Sequence, residues 1–220
     1  MPISLPQVLA LNRQLGRGFD AAGNPRPFSD KEFFDVSNEM GLNQRNPDYR
    51  RLHEFLAAWI RNALSPSSAL EIGAGPGYLL YCLNRLGIDA AGVDGNPHSK
   101  AFFDECHPEH SSRYVVDRRF EGNYTRADLV VSIEVFEHIP DDGLERILEK
   151  VRRDIQPRYF VFSSTPHPDP NPGWDLQWGH INIKQPTQWH RLFGRFGYRP
   201  LDARPPVTEW ATLYADALTS

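Results

Sequence analysis

Cysteine is almost missing: Cys82 and Cys106 are the only two in 220 residues. That leaves neither a disulfide framework nor a cysteine-based metal site to build. Cys82 falls on an apolar helical face, where free cysteine commonly packs, so neither thiol reads as a nucleophile. Long apolar runs are missing too. Nothing approaches the ~20 residues of a membrane-spanning helix, and the opening Met1-Pro2-Ile3-Ser4-Leu5-Pro6 lacks the basic and apolar regions of a secretory leader. The expected location is the cytoplasm. There is no basic excess: 24 Lys and Arg stand against 28 Asp and Glu, a net charge of −4. The chain therefore has no global pull toward phosphate backbones, and a small molecule is expected as partner in preference to nucleic acid. Internal repeats and low-complexity tracts are also lacking, and nothing in the sequence speaks to oligomeric state. What remains is 40% hydrophobic and 24% charged, an ordinary globular mixture long enough for one α/β core with additions.

Proline and glycine divide the chain. Residues 1–66 form the expected N-terminal helical cap or lid. Its first 45 residues scatter Gly16, Gly18, Gly23, Pro25, Pro27 and Gly41 among aromatics, too irregular for a sheet core. A helix then starts with Asn46 as N-cap and Pro47 at its first position, carries Tyr49, Leu52, Leu56, Trp59 and Ala63 on one face, and stops at Pro66. From residue 67 to 220, strands and helices alternate. Strands are expected at Ala69 to Ile72, Ala90 to Asp94, Tyr114 to Asp117, Leu129 to Ile133 and Tyr159 to Ser163, with helices between them. That order predicts a Rossmann-like, doubly wound, mostly parallel sheet. Pro166, Pro168, Pro170 and Pro172 impose a loop over 165–185, read as substrate-facing. Its Trp174 and Trp178 either wall an acceptor or pin the loop to the core. A helix from Pro186 and two strands, Tyr198 to Ala203 and Val207 to Ala215, complete the chain.

Glu71-Ile72-Gly73-Ala74-Gly75-Pro76-Gly77 directly follows the first core strand and precedes a helix. Glycines there let the backbone turn tightly and approach a ligand, while the helix N-terminus offers free N–H groups. The G-x-G-x-G spacing differs from the G-x-G-x-x-G of dinucleotide sites. About 20 residues later the second strand ends in Asp94, where a carboxylate accepts hydrogen bonds from ribose hydroxyls; capping the following helix is its competing role. Together these motifs resemble the class I S-adenosylmethionine methyltransferases, over residues 68–200. The resemblance implies S-adenosylmethionine as cofactor, and a seven-stranded sheet whose last strand is antiparallel. It further implies that Glu71, Gly73, Gly75 and Gly77 surround the methionine part of the cofactor, that Asp94 binds its ribose, and that Asp117 lies near its adenine.

Ser132-Ile133-Glu134-Val135-Phe136-Glu137-His138-Ile139-Pro140 ends the fourth strand, where open α/β sheets place ligands. Glu134 is thus expected to border the cofactor. Were the chain helical from Glu134, positions i, i+3 and i+4 would align Glu134, Glu137 and His138 on one face, with His180 from the later loop as a fourth ligand for Mg, Mn or Zn. The arrangement resembles the quinone-biosynthesis O-methyltransferases and the small-RNA terminal 2′-O-methyltransferases. A competing reading is a metal-free E-x-x-E-H stretch that shapes the pocket, with His138 or His180 as general base. His167, beyond the fifth strand, either faces substrate or has no role. The expected activity is methyl transfer to a small-molecule acceptor, at oxygen. The alternatives are RNA terminal 2′-O-methylation, or a non-catalytic protein that keeps the cofactor fold.

Overall fold

The computed structural model describes residues 2–171 and 173–218; the Pro172 reading lies outside them. Seven strands form one sheet: β1 (Ser68–Ile72), β2 (Asp89–Asp94), β3 (Tyr114–Val116), β4 (Leu129–Ile133), β5 (Tyr159–Ser163), β6 (Tyr198–Leu201) and β7 (Thr212–Asp216), in the order β3-β2-β1-β4-β5-β7-β6. Pairing is parallel except along β7, which runs antiparallel to both β5 and β6. The order reverses between β1 and β4, so the ends of β1, β2 and β4 open onto one crevice.

Alternation along the strands sorts the core into two layers. Leu70, Ile72, Val130, Phe160 and Phe162 face the helices α6 (Asp141–Lys150) and α8 (Pro186–Arg195), meeting Leu144, Leu148, Trp189 and Phe193. Ala69, Leu129, Val131 and Val161 face the opposite layer, where α3 (Pro47–Ala63) and α4 (Tyr78–Arg85) supply Leu56, Ala57, Ile60, Leu79 and Leu83. The buried stripe of α3 is rotated from the expected one: Leu56, Ala57 and Ile60 are inside, while Leu52 is 38% exposed and Ala63 faces solvent. Asn46 does cap this helix, accepting from Asp48 N–H at 3.1 Å. A further helix, α5 (Pro97–Cys106), follows β2. Cys82 is buried and burial pushes its thiol up to about 12, which leaves it unreactive.

The first 45 residues hold two helices, α1 (Leu5–Leu15) and α2 (Asp30–Glu39). They share a small core of Val8 and Val36 with Trp174 and Trp178 of α7 (Trp174–Trp178), a short helix inside the 165–185 loop. Trp178 meets Phe33 at 4.7 Å and Phe28 at 5.7 Å, both edge-on. Such pairs stabilise by roughly 0.5–1.5 kcal/mol beyond area burial. The two tryptophans therefore pin loop to cap. Polar ties reinforce this: Phe28 N–H donates to the Gln177 carbonyl at 2.8 Å, Gln177 Nε2 to the Gly18 carbonyl at 3.0 Å, and Asn96 Nδ2 to the Asp30 carbonyl at 2.9 Å. Among the described residues no helix is long and apolar enough to cross a membrane.

The terminal strands are shorter than the sequence suggests. β7 starts at Thr212, opposite Phe162, because residues 207–211 have already passed the end of β5. That stretch crosses the mouth of the crevice instead, where Thr208 bonds Ser163 at 2.8 Å.

Candidate functional site

β1 delivers Glu71 and Ile72 to a loop in which Gly73, Gly75 and Gly77 all have positive φ, at 76°, 51° and 75°. Their tasks differ. A Cβ on Gly73 would meet Val135 at 2.2 Å and one on Gly77 would meet Phe103 at 2.2 Å, so both glycines are required by packing. A Cβ on Gly75 would meet nothing within 4 Å: this glycine faces open space. The loop is held from both sides. Asp94 accepts from Gly75 N–H at 2.9 Å and from Asn96 N–H at 2.7 Å, and Tyr114 donates its hydroxyl to the Gly75 carbonyl at 2.7 Å. The helix cap that competed for Asp94 is supplied by Asn96, which accepts from His98 N–H.

Glu71 is buried, and its Oε2 has no partner. Burial raises its carboxyl to about 8, with the Asp94 charge adding to the rise and a bond from the Leu80 backbone opposing it. Burial raises Asp94 as well, against the two backbone N–H donors. An unpaired oxygen at the base of an open glycine cradle is the feature expected where a ligand cation completes the site.

At the neighbouring end of β4 the chain is not helical from Glu134. Glu134 has φ 52°, and only a 3₁₀ turn, Phe136–His138, follows. The single-face argument for Glu134 therefore fails. Its carboxylate instead accepts from the Ser163 hydroxyl and from Trp210 Nε1 at 2.9 Å. Glu137, His138 and His180 do converge: one ligand atom from each lies within 4.8 Å of the others. Two backbone bonds lock the partners together, with Ile181 and Asn182 N–H donating to the Glu137 carbonyl at 2.9 and 3.0 Å. Ser164 donates to Glu137 Oε2 at 2.9 Å. Burial raises the Glu137 carboxyl to about 8, and the adjacent Glu134 charge adds to the rise. Burial, followed by the nearness of His180, lowers His138 to about 4. His180 Nδ1 bonds Asp175 at 2.8 Å, which turns Nε2 toward the cluster. Phe33 of the cap stands edge-on to His138 at 5.8 Å.

Asp117 is not free to reach a ligand with its carboxylate, which accepts from Arg119 N–H, Gly122 N–H and the Tyr124 hydroxyl within its own loop. His167 is exposed and packs edge-on to Trp210 at 6.0 Å. The sequence did not point to Asp175, Tyr114 or Trp210. The Asp-x4-His spacing of 175 and 180 within a loop was the one available signal for the first.

A family model described as "Methyltransferase domain" matches residues 42–203. No curated protein sequence matches the chain. Among solved structures, it is similar to the mitomycin 7-O-methyltransferase MmcR at 14% identity and TM-score 0.61, over 95% of this chain and 65% of that one. It is similar to human N-acetylserotonin methyltransferase, solved with S-adenosylmethionine, at 16% identity and TM-score 0.61, over 86% and 56%. It is also similar to the small RNA methyltransferase HEN1 at 17% identity and TM-score 0.54, over 78% and 25%. The chain thus spans less than two thirds of the length of these structures, and at such identities the likeness is one of fold.

Proposed function

The chain belongs to the methyltransferase-domain family, the class I S-adenosylmethionine-dependent methyltransferases, and from that premise we propose that it methylates an oxygen of a small-molecule acceptor beside a divalent cation. The observation that carries this reading is the convergence of Glu137, His138 and His180 within 4.8 Å at the carboxyl end of β4. Glu134, whose charge already acts on Glu137, is the fourth acidic neighbour of that site.

The residues fit both groups. For S-adenosylmethionine, the loop offers an open face at Gly75 and an unpaired oxygen on Glu71. For a cation, two imidazoles and a carboxylate form a donor set suited to Mg, Mn or Zn. His138 stays neutral at pH 7, which leaves a ring lone pair for coordination. Asp175 on His180 and Ser164 on Glu137 supply the outer hydrogen bonds that orient ligands of this kind.

The cofactor supplies an electrophilic sulfonium methyl, and a bound cation supplies Lewis acidity that lowers a hydroxyl pKa. The protein's own task is alignment. The backbone of 73–77 fixes the donor side, the 134–138 turn fixes the acceptor side, and Phe33 with Trp178 keeps water from the histidines. The acceptor's proton needs a local sink, and His180, oriented by Asp175, is the better placed base. His138, lowered to about 4, is a weak one.

Calorimetry of S-adenosylhomocysteine and of Mg²⁺, Mn²⁺ and Zn²⁺ against wild type and Glu137→Ala tests the reading. Glu137→Ala should keep nucleoside affinity and lose the cation. Wild-type cation affinity in that variant would refute the assignment. A wild type that binds no cation would move the chemistry to the His180–Asp175 pair.

A further inference from the structure

Residues 43–49 bridge the two helices that border the glycine loop and Asp94. On one side Arg45 lies over the Phe102 ring at 4.8 Å and pairs with Glu105 at 3.1 Å, both on α5. On the other side Tyr49 stacks on His53 at 4.0 Å, and His53 meets Tyr78, the residue after Gly77, edge-on at 6.5 Å. Gln44 sits within this bridge, 8% exposed. Its backbone carbonyl accepts from Arg50 Nη1 at 3.1 Å, yet both atoms of its side-chain amide are buried without a partner. A buried amide left unpaired is costly unless a ligand meets it. Tyr49 is close to the same loop, for after burial the charges of Glu71 and Asp94 are what push its phenol upward. Glu71 Oε2 is the third unmet polar group here.

We propose that Gln44 and Tyr49, together with Glu71, form the receptor for the α-ammonium and α-carboxylate at the amino-acid end of the methyl donor. This rests on the cofactor reading of the glycine loop. The chemistry of the three groups selects that end of the molecule. A lone carboxylate oxygen calls for a cationic donor, and the ammonium provides it. An amide N–H and a phenol O–H call for an anionic acceptor, and the carboxylate provides that. Neither adenine nor ribose carries both charges. Gln44 Oε1 takes a second ammonium proton, so the amide is satisfied at both atoms.

The test compares two nucleosides by calorimetry: S-adenosylhomocysteine, and 5′-methylthioadenosine, which lacks the amino-acid end. Gln44→Ala should lower S-adenosylhomocysteine affinity about tenfold, the loss of a hydrogen bond to a charged group. Methylthioadenosine affinity should stay within about twofold. Gln44→Glu keeps the side-chain shape while opposing the carboxylate with a negative charge, and should lose more of the same selective affinity. Tyr49→Phe should lose less, with equal selectivity. Unchanged S-adenosylhomocysteine binding in Gln44→Ala and Gln44→Glu overturns the assignment, as does an equal loss for both nucleosides. If wild type binds neither nucleoside, the cofactor reading itself falls and the assignment with it.

Discussion

The empty cofactor site should make the protein less stable as pH rises, and Glu71 is the cause. Its carboxyl is raised from an ordinary 4.5 to about 8 in the folded chain, chiefly by burial. In the unfolded chain it ionises above 4.5, so the unfolded state gains free energy from ionisation that the folded state forgoes. The stability at stake is therefore fully present below pH 4.5 and is lost as pH climbs through 8. Between pH 5 and pH 8 the difference amounts to about 3 kcal/mol, at ~1.36 kcal/mol per pH unit over most of that window. Glu71→Gln removes the titration. It also leaves a buried amide N–H₂ at the unpaired position, which costs roughly 1–3 kcal/mol at every pH. The informative quantity is thus the change between the two pH values and not the stability at either one. Urea unfolding of ligand-free wild type and Glu71→Gln at pH 5 and pH 8 measures it. Wild type should lose about 3 kcal/mol more than the variant over this interval. Parallel pH dependence in the two proteins would show that Glu71 is ionised when folded, and would refute its being held neutral by burial.

Gly75→Ala should fold, since its Cβ meets nothing within 4 Å, at a strain cost of about 1–2 kcal/mol for a positive φ; S-adenosylhomocysteine binding should fall sharply in calorimetry, because the added methyl occupies the open face. Asp175→Asn replaces the acceptor that fixes the His180 ring, and a titration with Mn²⁺ should find cation affinity down about 10- to 100-fold. Trp178→Ala empties the joint between cap and loop, where Phe28, Phe33 and Trp174 all pack on it. It should cost about 3–5 kcal/mol locally, and limited proteolysis should then cleave within residues 1–40 before the sheet.

The sheet was legible because its strands carry their own signal. Leu129–Ile133 and Tyr159–Ser163 are continuous apolar runs, and a strand buried on both faces needs that composition. The glycine loop was legible because strand, G-x-G-x-G and helix follow one another within a dozen residues, so local sequence already contains the geometry. The cap was harder to read. Its core is assembled from Val8, Val36, Trp174 and Trp178, residues far apart in the chain, and neither α1 nor α2 buries enough of its own length to show a long periodic stripe. The face of α3 was misjudged for a related reason. Tyr49, Leu52, Leu56 and Ala63 match a helical period, but so does the stripe through Leu56, Ala57 and Ile60, and only the packing of α4 decides between them.

The E-x-x-E-H segment shows how a correct constellation can follow from an incorrect local premise. A helix would have aligned Glu134, Glu137 and His138 by spacing alone. The chain instead breaks at Glu134, at a φ of 52° that a glutamate adopts only when its surroundings over-determine it. Those surroundings come from elsewhere: Ser163 at the end of β5, and Trp210 on the stretch that crosses the crevice before β7. With Glu134 turned toward them, His138 is brought to His180 by a different agent, the pair of bonds from Ile181 and Asn182 to the Glu137 carbonyl. The cluster is therefore a tertiary object, and its stability is tied to the 165–185 loop and, through Phe33 and Trp178, to the cap. Loosening the cap should then weaken cation binding without touching a ligand. Cooperativity of this kind separates a site built across the fold from a motif read along a helix.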